Sequence, residues 1–299
     1  MSNYFLRLMA SLLLVSAQFV VVGQEFSPTR HAITADSTRR AGNVYQAIFE
    51  WKLDYAISLR PDVAYSIAKL YAISEQADSA FWWLRVALKK DSSISALIEG
   101  DFVYLSSQPE WAEIEAMQIA KSETLQGKYK KLELSRKLWH LQMLDQAYTT
   151  QWSMARNKLG QSHPVAKALQ VLINKVRGDN SVDAVIILHE NGWPKISELG
   201  EPAATTVFYI IQHGEAKLRK NYLPQLKAAC ETKEAPWHWY AMMYDRILND
   251  EGKKQWYGTQ FTSNPLLERR PIEAPEYVNK RRRELGLNPI EDLDVPQKD

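Results

Sequence analysis

The sequence has little cysteine and little glycine. Its one cysteine, Cys230, excludes an internal disulfide and any zinc site built from several thiolates. The 12 glycines stand against 10 tryptophans and 14 tyrosines. Because large rings with few turn residues favour packed helices over a strand-rich architecture, we expect a mainly α protein.

Several signatures of catalysis and ligand binding are also missing. The sequence contains no HExxH, no GxSxG and no glycine-rich phosphate loop. His189, His213 and His238 lack the spacing of metal ligands, so we expect neither a metal site nor a cofactor. His238 lies between two tryptophans and is interpreted as a packed residue. The net charge of +2 predicts no nucleic-acid partner.

Long apolar runs are absent after the first 22 residues. Leu8 to Val22 is almost uninterruptedly apolar, and Val21-Val22-Gly23 precedes Gln24 as a cleavage site would. This pattern predicts a signal peptide over residues 1–23. The alternative is a membrane anchor, but the run is short for a bilayer span. We therefore expect an exported protein, periplasmic or extracellular, without stable membrane insertion after cleavage.

Helical periodicity begins near Asn43, after a polar segment, residues 24–42, which we interpret as a flexible leader. Val44, Ile48 and Trp51 repeat at the spacing of one helix face, and Pro61 ends that helix.

The next segment alternates small and large apolar residues across a polar turn. Residues that carry this pattern are Ala64, Ile67, Ala68, Tyr71, Ala80, Leu84 and Ala87. It resembles a tetratricopeptide repeat, which implies a helical array over residues 43–118, closed by Phe102 and Trp111. Such an array implies a groove for a protein or peptide partner, and a purely structural helical hairpin is the equally weighted alternative.

The second half also predicts helices. Residues 119–131 are rich in lysine and are expected as a linker, and residues 132–290 as a helical domain. Gly178-Asp179-Asn180 is expected as a turn before a short helix that starts at Ser181. β-Type residues around Gly258 predict a small β element near residues 255–262. Residues 291–299 are expected as a disordered tail.

Several ordered motifs of the second half together resemble a bacterial domain family of unknown function. The resemblance implies a mainly helical domain, often found in secreted proteins, and implies no activity. Thr149 and Gly214 depart from the family's pattern, which has Arg and Ala there. The residues that carry the resemblance are Asp145-Gln146, Asn191, Trp193-Pro194, Gly200, Gln212-His213, Asp245-Arg246, Gln255, Tyr257-Gly258-Thr259-Gln260, Arg281-Arg282 and Leu285-Gly286-Leu287.

The candidate site centres on Asp245 and Arg246, an acid–base pair in an apolar helical run. Neighbouring residues of a helix point about 100° apart, so the two must address different partners. We expect Arg282 for Asp245 and the Tyr257–Gln260 turn for Arg246. Candidate catalytic residues are His213, Asp245 and Arg246; candidate binding residues are Asp145, Gln146, Trp193, Gln212, Tyr257, Thr259, Gln260, Arg281 and Arg282.

Two functions stay open. In the first, the cluster is a structural polar network in a binding or scaffold protein, whose repeat module and recognition domain contact partners. In the second, it is the active site of a hydrolase or transferase, where His213 acts as a base and arginines hold a phosphate- or carboxylate-bearing substrate.

Overall fold

The computed structural model describes residues 29–262 and 268–298. They belong to two compact units, which meet in sequence between Val182 and Asp183. The mainly α fold that the composition predicts is confirmed. The helices are α1 Arg30–Arg40, α2 Val44–Ser58, α3 Pro61–Ile73, α4 Ala77–Leu88, α5 Ser95–Ile98, α6 Trp111–Gln126, α7 Leu132–Gln146, α8 Thr149–Leu159, α9 Pro164–Asn191, α10 Ile196–Leu199, α11 Glu201–His213, α12 Ala216–Glu231, α13 Trp237–Asp250 and α14 Val278–Glu284.

Helix α1 corrects the expectation of a flexible leader, because residues 30–40 are helical. The Thr29 hydroxyl caps the first turn by accepting from the Ala32 amide at 3.0 Å. Ala32 and Ala35 are buried, and α1 packs along α2. The alanines of this helix therefore form its buried face. The predicted signal peptide, residues 1–23, lies outside the described residues.

Helices α3 and α4 pack against each other as a hairpin in the first unit. Ala68 and Ala80 are fully buried, which allows the two backbones to approach closely, and Leu84 fills the space beside them. Beyond the hairpin, Phe102 and Trp111 are buried with ring centroids 6.4 Å apart. Aromatic packing thus closes the core after α5.

Helix α6 takes up most of the segment expected as a linker. Residues 119–126 are helical, and the lysine of this stretch, Lys121, donates from Nζ to the Leu88 carbonyl at 2.5 Å. Gln118 and Ser122 are buried on the same helix. Lys121 therefore satisfies carbonyls at the end of α4 instead of marking a break in the fold.

Helix α9 runs from Pro164 to Asn191 without interruption, so the turn expected at Gly178-Asp179-Asn180 is wrong. Asn180 is buried, and its amide donates to the Leu141 carbonyl of α7 at 3.0 Å. This tertiary contact overrides the local turn preference of the three residues.

In the second unit, α11, α12 and α13 pack together. Phe208 of α11 and Trp239 of α13 are buried and stack with centroids 5.0 Å apart at 8°. After α13 the chain makes two isolated β-bridges, Gln255 with Ile272 and Phe261 with Arg269, which are the small β element.

The segment after α14 corrects the expectation of a disordered tail, since residues 291–298 have defined partners. The Asn279 amide donates to Oε1 of Gln297 at 3.2 Å, and the Lys298 amide donates to the Glu276 carbonyl at 2.6 Å. Leu293 packs against buried Val278 and Ile290. Residues 291–298 therefore belong to the fold.

Among the helices of the described residues, none combines the length and the hydropathy needed to cross a bilayer.

Candidate functional site

The carboxylate of Asp245 lies at the centre of a polar network in the second unit. Asp245 is fully buried on α13. Its Oδ1 accepts from the amides of Trp256 at 2.7 Å and Tyr257 at 2.9 Å. Its Oδ2 accepts from the amide and the hydroxyl of Thr259, both at 2.9 Å. Four donors from one turn thus stabilise the charge.

This arrangement corrects the expected partners of the pair. The turn that we assigned to Arg246 binds Asp245 instead, and Arg282 is not among the donors to the carboxylate in the described residues. Arg246 is half-buried and lines a small recess of about 30 Å³ together with Asp250 and Arg270. The sequence therefore missed that Asp245 binds the turn.

Gln255 holds the other side of the same turn. Its Oε1 accepts from the Gln260 amide at 2.7 Å, and its Nε2 donates to the carbonyls of Gln260 at 3.0 Å and Arg270 at 2.6 Å. Gln255 is fully buried, and each of these bonds connects to main chain. The Gln255 side chain therefore connects the main chain of Gln260 with that of Arg270.

Arg281 and Arg282 bind carbonyls of the turn from α14. Nε of Arg281 donates to the Trp256 carbonyl at 3.0 Å, and its guanidinium lies 4.1 Å from the Trp256 ring centre. Nη1 of Arg282 donates to the Tyr257 carbonyl at 2.7 Å, and its Nε donates to the Asn288 carbonyl at 2.7 Å. The turn is thus bound by Asp245 through its amides and by two arginines through its carbonyls.

Tyr257 also joins an aromatic group on α13. Its ring lies 6.4 Å from that of Tyr240 and 5.8 Å from that of Tyr244, with edge-to-face geometry in both pairs. Burial raises the pKa of Tyr257 well above its usual value, and the neighbouring tyrosines and Asp245 add to the shift. The phenol stays protonated at neutral pH and can donate a hydrogen bond.

Gln212 and His213 on α11, and Trp193 before it, each lie in a different environment. Gln212 and Gln260 each donate from Nε2 to the Met242 carbonyl at 3.2 Å, which ties α11 and the turn to α13. His213 is exposed and stacks on Tyr209 at 5.7 Å. Trp193 is buried, and its indole Nε1 has no hydrogen-bond acceptor among the described residues. His213 is not among the donors that bind Asp245.

Asp145 and Gln146 belong to the first unit, at the end of α7. Nε2 of Gln146 donates to Oδ2 of Asp145 at 2.8 Å, and Nε of Arg177 lies 3.6 Å from Oδ1. Burial raises the pKa of Asp145, while the Arg177 charge and the Gln146 hydrogen bond oppose that shift. Arg177 also donates from Nε and Nη2 to the Asp145 carbonyl at 3.3 Å, so it anchors the end of α7.

A cleft of about 760 Å³ lies beside the turn in the second unit. Its lining includes Arg269, Arg282 and His238, with apolar side chains from α13 and from the segment after α14. His238 is exposed as a whole residue, but its ring lies 6.0 Å from that of Trp239 with edge-to-face geometry, so it packs on one side only. Partial desolvation of the ring lowers the pKa of His238, and the Glu201 charge opposes the shift, so the imidazole is neutral at neutral pH.

The sequence did contain a signal for His238. It precedes Met242 by four residues, and both side chains line the cleft. Residues four apart share one face of a helix, so the helical register of α13 places them together. Nothing local indicates Arg269, because its position depends on the chain folding back after Phe261. In the described residues, no group of three or more His, Cys, Asp or Glu side chains is placed to hold a metal ion.

Comparison with known protein families assigns the second half of the chain to one of them. Residues 132–295 match the model of a family of unknown function, DUF6624, and cover more than half of the chain. The chain therefore belongs to this family, which confirms the predicted membership of the C-terminal domain. No curated protein matches the chain significantly, and no solved structure does so either.

Proposed function

We propose that this member of a family of unknown function is an exported binding protein whose Asp245 network has a structural role. In this proposal, the tetratricopeptide-like helices engage a protein or peptide partner. The second unit is a recognition module, and its cleft accepts a small anionic ligand.

The saturation of Asp245 is the observation that carries the proposal. A general base needs a lone pair directed at substrate. Here both carboxylate oxygens already accept two hydrogen bonds each from residues 256–259. The carboxylate is also fully buried. These contacts favour a group that fixes a turn over one that exchanges protons.

The first unit supports the partner-binding part through its surface. Trp82 is 56% exposed and Tyr45 is 72% exposed, although both are large apolar side chains. Trp82 contacts Trp83 at 4.7 Å, and Trp83 contacts Tyr55 at 5.0 Å. Exposed aromatic residues of this kind are common at protein-binding surfaces.

Thermal melts of Asp245 variants test the structural role. Asp245→Ala leaves three amides and one hydroxyl without their acceptor, at a cost of about 3 kcal/mol, so we expect the melting temperature to fall by roughly 10 °C. Asp245→Asn keeps the shape but turns an amino group toward N–H donors, so it should also destabilise.

The matched control is Asp292→Asn, at a carboxylate that is 84% exposed. We expect its melting temperature to stay within about 1 °C of the wild-type value. Wild-type stability in both Asp245 variants would contradict the proposal. Together with lost turnover of a phosphate or carboxylate ester, it would favour the alternative hydrolase or transferase.

A further inference from the structure

The guanidinium of Arg282 is held rigidly at the cleft. Its Nε and Nη1 donate to the carbonyls of Asn288 and Tyr257, both at 2.7 Å, and these two bonds fix the plane of the group. No carboxylate of the described residues forms an ion pair with it. The remaining amino group, Nη2, is the part of the side chain that can serve a ligand, because Arg282 lines the cleft.

Arg269 brings a second positive charge to the same cleft. It donates from Nη1 to the Gly258 carbonyl and packs 4.6 Å from the centre of the Phe261 ring. Its partner Asp292, at 3.6 Å, is 84% exposed and so is screened by solvent. Burial and then the Arg269 charge lower the pKa of Arg282, while the Asp245 charge opposes the shift. The two guanidiniums therefore repel each other, and an anion between them would relieve the repulsion.

The other residues that line the cleft indicate the charge and polarity of the anion that would fit it. Met242, Leu287 and Ile290 give the cleft an apolar wall, and its volume of about 760 Å³ is in the range of small-molecule sites. Glu291 and Asp292 also line it and would repel a multiply charged group. Asp292 lies 3.6 Å from Arg269, whereas Arg282 has no carboxylate at ion-pair distance among the described residues, so one guanidinium charge faces a ligand and matches a single negative charge better than a dianion.

We infer that this cleft binds a small organic carboxylate with one negative charge and an apolar body. The carboxylate would accept from Nη2 of Arg282, as arginine recognises carboxylates through charge-assisted hydrogen bonds. The apolar body would lie against Met242 and Leu287. This inference deepens the proposed function, because it names the ligand of the recognition module.

Methionine-methyl NMR of the full chain gives a direct test, because Met242 lines the cleft. The protein carries ¹³C-labelled methionine methyls, and a Met242→Leu variant assigns the Met242 signal. The probes share one apolar body: 3-phenylpropionate, 3-phenylpropanol and 3-phenylpropylamine, with phenyl phosphate as the doubly charged comparison. We expect 3-phenylpropionate to shift the Met242 signal with the lowest Kd of the four.

Variants locate the binding group. Arg282→Gln removes the charge, and we expect at least about tenfold weaker binding of 3-phenylpropionate. Arg283→Gln, at the next and exposed position of α14, is the matched control and should change Kd less than about twofold. Leu287→Glu puts a carboxylate in the cleft and should abolish binding, whereas Leu287→Gln should retain it. This second pair keeps the test valid if Arg282→Gln fails to fold.

Equal binding of the alcohol, tighter binding of phenyl phosphate, or no shift of Met242 up to the solubility limit would each overturn the inference. So would unchanged binding in Leu287→Glu. The thermal melts of the Asp245 variants test the proposed function independently of these ligand titrations. Destabilised Asp245 variants with no carboxylate binding would leave the structural role intact and reject this ligand.

Discussion

Among the described residues, Asp245 accepts its hydrogen bonds from neutral dipoles, while the charges of Arg281 and Arg282 act on it without a direct hydrogen bond. Three of its four donors are backbone amides, and the fourth is the Thr259 hydroxyl. A carboxylate that accepts several such bonds is stabilised in its charged form even when it is buried. A search for a cationic hydrogen-bond donor to Asp245 therefore misses the amides that bind it.

Cys230 shows the opposite behaviour, because burial leaves its thiol protonated. Only 2% of the residue is exposed, and burial raises its pKa to about 12. The thiolate is the reactive form, so at pH 8 we expect a disulfide reagent to label the native protein very slowly. In denaturant it should react at once and release one equivalent of thiolate, which absorbance measures.

The raised pKa of Cys230 also predicts how the stability of the protein changes with pH. The unfolded thiol ionises near pH 8.5, whereas the native thiol stays protonated up to about pH 12. The native state binds more protons between these values, so the contribution of Cys230 to stability falls as pH rises above about 8.5. Fast labelling of folded protein at pH 8 would contradict the buried placement of this side chain.

At the scale of elements, one glycine inside α9 can be compared with another that follows α8. Gly178 lies inside α9 and Gly160 has φ +94°, and an added Cβ would meet nothing within 4 Å at either position. Alanine suits a helix interior better than glycine, so Gly178→Ala should stabilise by about 0.5–1 kcal/mol. Gly160→Ala should destabilise by about 1–2 kcal/mol, because its backbone is left-handed. Urea unfolding curves measure both.

An unchanged or lower midpoint for Gly178→Ala would show that the helix breaks there, as the local sequence indicates. The sequence fails at this point for an identifiable reason. Gly178, Asp179 and Asn180 favour a turn, but the bond from Asn180 to Leu141 is formed with a residue 39 positions away. Helix existence was predictable elsewhere from periodicity, as in α3, α4 and α13, where apolar residues define one face.

The candidate site was predictable in part for similar reasons. The sequence pattern identified Asp245, Thr259 and Gln260 as members of one polar cluster, since polar side chains in an apolar run need partners. It did not identify Gln255 as a member. It could not assign those partners, because Asp245 binds amides, which every sequence provides. Arg269 and the cleft depend on a chain reversal that brings Phe261 and Arg269 together, and no local pattern records it.

At the scale of the whole molecule, export is the feature that the sequence predicts most directly. Residues 1–23 carry the apolar run and the small residues before Gln24. When the full chain is expressed in a bacterial host, we expect exported protein to begin at or near Gln24, by N-terminal sequencing. The variant Leu13→Arg interrupts the run and should keep the protein inside the cell. Exported wild-type protein that still begins with Met1 would contradict the prediction.

The family segment and the compact units divide the chain differently. The family match begins at residue 132, whereas the second unit begins at Asp183, inside α9. The matched segment therefore includes α7 and α8 of the first unit, together with the bond between Asn180 and Leu141. A fragment cut at residue 183 would lack elements that the family retains, so the full matched segment is the appropriate unit for expression.

The way in which Asp245 holds its turn also affects how the chain can diverge. The carboxylate contacts Trp256 and Tyr257 through their main-chain amides, so its hydrogen bonds do not depend on which side chains stand at these two positions. Trp256 is free to cover Arg281, and Tyr257 to join Tyr240 and Tyr244. Substitutions at positions 256 and 257 can therefore change the neighbouring surface during evolution, while the hydrogen bonds to Asp245 keep the shape of the turn.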